Sequence, residues 1–188
     1  SEDMFGGRIV VLSSDDGSSF RKGWAQLENI EMSHMGQFGH TRPDDLRTPV
    51  AFYHLGSQAS ADNPSYIKGC SMYNSYNGGI AIGLGVTNMQ VTNNVMFNIV
   101  SDAVRVVGDY SIVTGNVIVM VVKRFMYQNE YLQQQLGNAE AEQMNLPAGI
   151  NTIEVKTGTL LNNRVAGGDG PAYKGHADEC NMADLCAS

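Results

Sequence analysis

The apolar positions of this chain fall into a six-residue template that recurs five times. It has an aliphatic residue first, Asn or Gly third, and Met, Ile or Val sixth. It reads LENIEM at 27–32, IKGCSM at 67–72, VTNNVM at 91–96, VTGNVI at 113–118 and LLNNRV at 160–165. The third position is Asn29, Gly69, Asn93, Gly115 and Asn162, the two residue types that most readily enter the left-handed backbone region. Each hexapeptide therefore predicts a strand, a sharp structural turn and a second strand.

Template starts at 27, 67, 91, 113 and 160 give intervals of 40, 24, 22 and 47 residues. A structural rung of about 22 residues, within the usual solenoid range, leaves excursions of about 18 and about 25 residues in the long intervals. They fall at about 40–64 (His40 to Pro49 with Gly56 to Pro64) and at 123–147. A second apolar stretch follows at a constant offset, with Ile80 thirteen after Ile67 and Val104 thirteen after Val91. Each rung thus has at least two inward-facing strands.

Short strands separated by Gly and Asn bends, with no helix between them, predict an all-β right-handed parallel β-helix. A sandwich would need hairpin signals between its units, and Asn77-Gly78, the one dipeptide of that kind, sits inside the repeat. The β-helix is expected over residues 1–180 as a fragment of a larger solenoid, with 181–188 a tail closing the domain. The fourth template position carries Ile30, Cys70, Asn94, Asn116 and Asn163. If it points inward, Asn94, Asn116 and Asn163 stack as a ladder of amides that satisfy one another.

Glycine, at 21 of 188 residues, is enriched above the usual ~7%, which suits a coil-and-turn protein and not a helical bundle. The formal net charge is −7 and no basic cluster is present, so no nucleic-acid partner is expected. The longest aliphatic run, VIVMVV at 117–122, is far shorter than the ~20 residues a membrane-spanning helix needs. The opening SEDMFGGRIVV shows no signal-peptide pattern and reads as a strand in progress, so further rungs are expected before it.

Of three cysteines, Cys70 sits at the inward template position and reads as a small buried thiol. Cys180 and Cys186 enclose a short polar segment. A disulfide between them would imply an oxidising, extracellular setting, and pairing with a cysteine outside the fragment is the alternative. Zinc binding is disfavoured by the spacing. No Asn-x-Ser/Thr sequon occurs.

Candidate chemistry is sparse. His34, His40, Asp44 and Asp45, with His54 nearby, are residue types that bind metals or move protons, but they lack a tight motif spacing, and Pro43-Asp44-Asp45 is also ordinary turn chemistry. No metal site and no cofactor is therefore expected. Seven residues after each template start stand His34, Asn74, Asn98, Met120 and Gly167. The first three are candidates for an exposed polar ladder that contacts glycan, with Asp102 and Arg105 near Asn98. Asp15-Asp16 reads as a turn between strands. No nucleophile elbow, P-loop, dinucleotide fingerprint or HExxH is present. The stretch from Lys123 to Pro147 contains good helix formers and an uneven apolar stripe, so the insertion is expected to be partly helical, as a packing lid or a partner-docking helix.

Taken in order, FGGRIVV, GWAQLENIEMSHMGQFG, SYIKGCSMYNSYNGGIAIGLG, VRVVGDYSIVTGNVI, MYQNE, AGINTIEV and LLNNRVAGGDGPAYKG resemble the parallel β-helix region of fibrocystin and fibrocystin-like proteins. The resemblance implies a right-handed β-helix within a very large secreted or membrane-anchored ectodomain, often linked to cilia or cell-surface coats. Related β-helix regions occur in cell-surface hyaluronidases. Two readings follow. The first is a non-catalytic structural and interaction module, whose partners are adjoining domains, further copies, other cell-surface proteins or glycans, with any membrane anchor outside this segment. The second is a glycan-active enzyme of hyaluronidase or lyase type, with a cleft from His34, Asn98, Asp102, Arg105 and the 40–49 loop. Its polyanionic substrate would need a basic groove, against which the excess of acids argues.

Overall fold

The computed structural model describes residues 4–15, 17, 19–38, 47–123 and 146–176. His40, Asp44, Asp45, most of the 123–147 insertion with its expected helical part, and Cys180 and Cys186 with the 181–188 tail lie outside the described residues.

Three parallel sheets run the length of a parallel β-helix. Sheet 1 contains Ile9–Leu12, Val50–Tyr53, Ile80–Ile82, Val104–Val106, Ile150–Ile153 and Tyr173–His176. Sheet 2 contains Gln26–Glu28, Tyr66–Lys68, Gln90–Thr92, Ser111–Thr114 and Gly158–Leu161. Sheet 3 contains Glu31–Ser33, Ser71–Ser75, Val95–Val100, Val117–Val122 and Arg164–Gly168. Among the described residues the chain visits them in the order 1, 2, 3 through five full rungs, each strand pairing with its counterparts in the neighbouring rungs. Every rung thus has three strands, one more than the apolar spacing required.

Register follows the template. The first positions stack as Leu27, Ile67, Val91, Val113 and Leu160 in sheet 2. The sixth positions stack as Met32, Met72, Met96, Ile118 and Val165 in sheet 3. Ile80 and Val104, the thirteen-residue offset, pair in sheet 1. These columns meet in one core in which Ile67, Val91, Val113, Met96 and Ile118 are fully or almost fully enclosed. Each such side chain contributes about 1.5–3 kcal/mol by leaving water. A one-residue slip would turn a whole column outward, so burial itself fixes the register.

Val50–Tyr53, between the stretches His40 to Pro49 and Gly56 to Pro64, is a fully buried strand of sheet 1. Gly56–Ser57 and Val86–Thr87 form a small parallel pair beside it. Ser14–Asp15 pairs antiparallel with Phe20–Arg21, so Asp15 is a strand residue, and Gly17 between the two strands takes φ +79°; Asp16 lies outside the described residues.

Candidate functional site

The corner between sheets 2 and 3 is built by the third template position. Asn29, Gly69, Asn93, Gly115 and Asn162 all lie in the left-handed region, at φ 54°, 62°, 56°, 68° and 55°. The column alternates Asn and Gly for a steric reason. A Cβ on Gly69 would meet the Asn29 Oδ1 of the rung below at 2.6 Å, and one on Gly115 would come still closer to the Asn93 Oδ1. An asparagine that folds over its neighbour thus requires glycine there.

One residue later the chain turns inward. Asn94 is buried and its Nδ2 donates to Asn116 Oδ1 (2.9 Å) and to the Ile67 carbonyl (3.2 Å). Asn116, wholly enclosed, repeats the pattern: its Nδ2 donates to Asn163 Oδ1 (2.9 Å) and to the Val91 carbonyl (2.9 Å). The Asn163 Nδ2 donates to the Val113 carbonyl at 2.7 Å. Each Oδ1 also accepts a backbone N–H from the preceding rung, from Cys70, Asn94 and Asn116 in turn. Cys70 continues the column as a free, buried thiol facing the Leu27 carbonyl. Ile30 holds the same position in the first described rung and is 36% exposed.

His34, Asn74, Asn98, Met120 and Gly167 form a second left-handed column, at φ 53°, 54°, 54°, 63° and 67°. Ladder pairing in sheet 3 skips these residues: Phe97 pairs with Val119 and Ile99 with Val121, leaving Asn98 and Met120 as stacked bulges. The Asn98 Nδ2 donates to Asn74 Oδ1 at 2.9 Å, and the His34 ring lies 6.0 Å from that of Tyr76. This column is first a backbone device that bends sheet 3. Its polar side chains lie at or near the surface, and Asn74 and Asn98 are partly engaged with each other.

Asp102 and Arg105 lie on the turn and strand that follow Asn98 in the chain. Asp102 occupies the turn from sheet 3 into sheet 1, and Arg105 points outward from sheet 1 yet is only 6% exposed. The Asp102 Oδ1 accepts the Ala148 N–H (2.9 Å), and its Oδ2 accepts from Asn151 Nδ2 (2.8 Å) and lies 4.0 Å from Arg105 Nε. This buried cluster ties the turn of the third rung to the start of the fifth. Among the described residues no three His, Cys, Asp or Glu side chains gather as a metal site.

The outer surfaces of the sheets carry what remains. On sheet 2, Lys68 Nζ lies 3.1 Å from Glu28 Oε1, and the Tyr66 hydroxyl donates to Glu28 Oε2 at 3.2 Å. Together these hold the Glu28 carboxyl below the ordinary glutamate value. On sheet 3 the Tyr73 hydroxyl donates to Glu31 Oε1, and that carboxylate pushes the Tyr73 hydroxyl above the ordinary tyrosine value. The outward column of sheet 3 runs Glu31, Ser71, Val95, Val117, Arg164, and beside it Tyr73, Phe97 and Val119 form a second. Val95 is 50% and Phe97 48% exposed. The centre of this face is therefore apolar and open to solvent. Sequence reading missed it, because VMFNIV and VIVMVV, apolar at most positions, look like core.

The chain is 32% identical to human Fibrocystin-L and 31% identical to mouse Fibrocystin-L, in each case over 96% of its own length. It spans 4% of the length of either relative. No solved structure matches it. The sequence profile described as CEMIP beta-helix matches residues 4–179, nearly the whole chain and all five rungs. The chain belongs to the CEMIP beta-helix family.

Proposed function

We propose that the chain is a non-catalytic structural and interaction module, a stiff β-helix segment of a large extracellular or ciliary-surface protein. The observation that supports this most strongly is the solvent-facing apolar centre of sheet 3, where Val95 and Phe97 spend exposed area on no described part of the chain. Exposed apolar surface of this kind marks contact with another macromolecule. The rungs behind it are tied together by backbone ladders and by the interior amides, so the face is presented on a rigid support. Glycan contact, on this reading, falls to the surface column His34, Asn74 and Asn98, while Asp102 and Arg105 brace the adjacent turn. Both Asp102 carboxylate oxygens are already engaged within the chain, Oδ1 by the Ala148 N–H and Oδ2 by Asn151 Nδ2.

Incubation of the folded chain with long hyaluronan, with and without Ca²⁺, tests the reading, with polymer length followed by gel. Unchanged polymer is expected. Shortening that disappears in Asp102→Asn or His34→Ala would replace the module with a hyaluronidase-type enzyme.

A further inference from the structure

We propose that the outer face of sheet 3 is a self-association surface, on which a second copy of this chain packs with its solenoid axis reversed. The proposal rests on the reading of the chain as an interaction module and names the partner. The face is complementary in charge to its own reversed copy along a single column. Its five residues, from the first rung to the fifth, are Glu31, Ser71, Val95, Val117 and Arg164, acid at one end and base at the other. With strands roughly 4.8 Å apart, Glu31 and Arg164 lie roughly 19 Å from each other and equally far from Val95.

A twofold axis lying in the interface along the strand of the third rung sets rung one against rung five and rung three against itself. Glu31 of each copy then meets Arg164 of the other, giving two equivalent ion pairs. Between them Val95 meets Val95 and Phe97 meets Phe97, while Tyr73 meets Val119. The same patch serves both subunits, as an isologous interface requires. Glu31 is already held in the plane of the face by the Tyr73 hydroxyl. A parallel arrangement would instead set Glu31 against Glu31 and Arg164 against Arg164, so the charges select the reversed one.

A face of roughly 20 by 17 Å buries about 700 Å² in total, below the ~1,200 Å² of standard stable interfaces, which places the dimer in the weak, transient class. Self-association of that strength becomes effective when copies are held together on a surface.

Sedimentation velocity of the 188-residue chain from about 10 µM to about 1 mM reads the equilibrium directly. A monomer–dimer transition is expected. Glu31→Arg alone and Arg164→Glu alone should each raise Kd about tenfold or more, by setting like charges against each other at both rims. An equimolar mixture of the two variants should associate again, since every rim pair in the mixed dimer is then Arg against Glu. Phe97→Glu, at an outward position, should abolish the dimer with unchanged circular dichroism. A chain monomeric throughout, a dimer indifferent to both charge reversals, or reversals that are not rescued by mixing would each overturn the proposal. Because hyaluronan length is read independently, a monomer that leaves hyaluronan intact removes this inference and keeps the module, whereas cleavage removes the reading beneath both.

Discussion

Replacing Asn116 by Ala removes the middle of the interior amide ladder, and the cost follows from the partners left behind. Asn116 is fully enclosed, and its Oδ1 accepts both the Asn94 backbone N–H (3.0 Å) and the Asn94 Nδ2 (2.9 Å), while its Nδ2 satisfies the Val91 carbonyl. The substitution takes these partners from the Asn94 backbone N–H and the Val91 carbonyl, while Asn94 Nδ2 keeps its bond to the Ile67 carbonyl. The Asn163 Oδ1 keeps its bond from the backbone N–H of residue 116. At about 1–3 kcal/mol for each unsatisfied buried group, reduced by partial relaxation, the loss is about 4 kcal/mol. That is a large share of the stability of an ordinary domain. Asn163 is only half-buried at the end of the ladder, where water replaces lost partners, so Asn163→Ala should cost about 1–2 kcal/mol. Urea unfolding followed by far-ultraviolet circular dichroism measures both. Amide exchange at residue 94 reports whether opening is local, which matters in a repeat protein whose rungs need not unfold together. Asn116→Leu fills the volume without restoring the bonds and should also destabilise. If Asn116→Ala costs less than about 1 kcal/mol, or Asn116→Leu is neutral, packing and not amide pairing holds the interior and the reasoning fails.

Three further substitutions or titrations probe separate parts of the structure. Gly115→Ala should cost about 1–3 kcal/mol, from positive φ and collision with Asn93, whereas Gly7→Ala, with open space around it, should have a far smaller effect in the same urea assay. Cys70→Asn should stabilise by about 1 kcal/mol: its Nδ2 would reach the Leu27 carbonyl, which occupies the place that Ile67 and Val91 hold for Asn94 and Asn116. A lower urea midpoint in this variant would show that the second rung is too narrow for the amide. Tyr73 should ionise above an ordinary tyrosine in an ultraviolet pH titration, and Glu31→Gln should bring it down. Because the folded-state value is raised, the associated stability is full below the unfolded tyrosine value and is lost as pH rises through the folded one.

The rungs were legible because their physical demands select residue types. Core columns need apolar residues at positions one and six, and the left-handed corner admits Asn and Gly almost alone, so LENIEM, VTNNVM and VTGNVI carry the fold on their face. The second left-handed column was harder to read. Asn74, Asn98 and Gly167 are ordinary for such a bend, but His34 and Met120 are not, and a mixed column at an outward position resembles a polar surface row. The Asp102 cluster could not be read at all, since Asn151 reaches Asp102 across 49 residues of chain through the stacking of sheet 1. The sheet 3 face was hidden by its own composition. In Val95–Val100 and Val117–Val122, Met96, Ile99, Ile118 and Val121 fill the core while Val95 and Phe97 face water, and no alternation of polarity separates the two sides.

The most direct test of the interaction module is hydroxyl-radical footprinting of this chain in isolation and within the intact cell-surface protein proposed to carry it. Phe97 and Met120, 48% and 43% exposed, should be oxidised readily in the isolated chain and protected in the intact assembly. Trp24 and Tyr110, at 54% and 57% exposure, lie away from the sheet 3 face and should stay reactive in both. Equal oxidation of Phe97 and Met120 in the two states would show that nothing docks on the face, and would contradict the account.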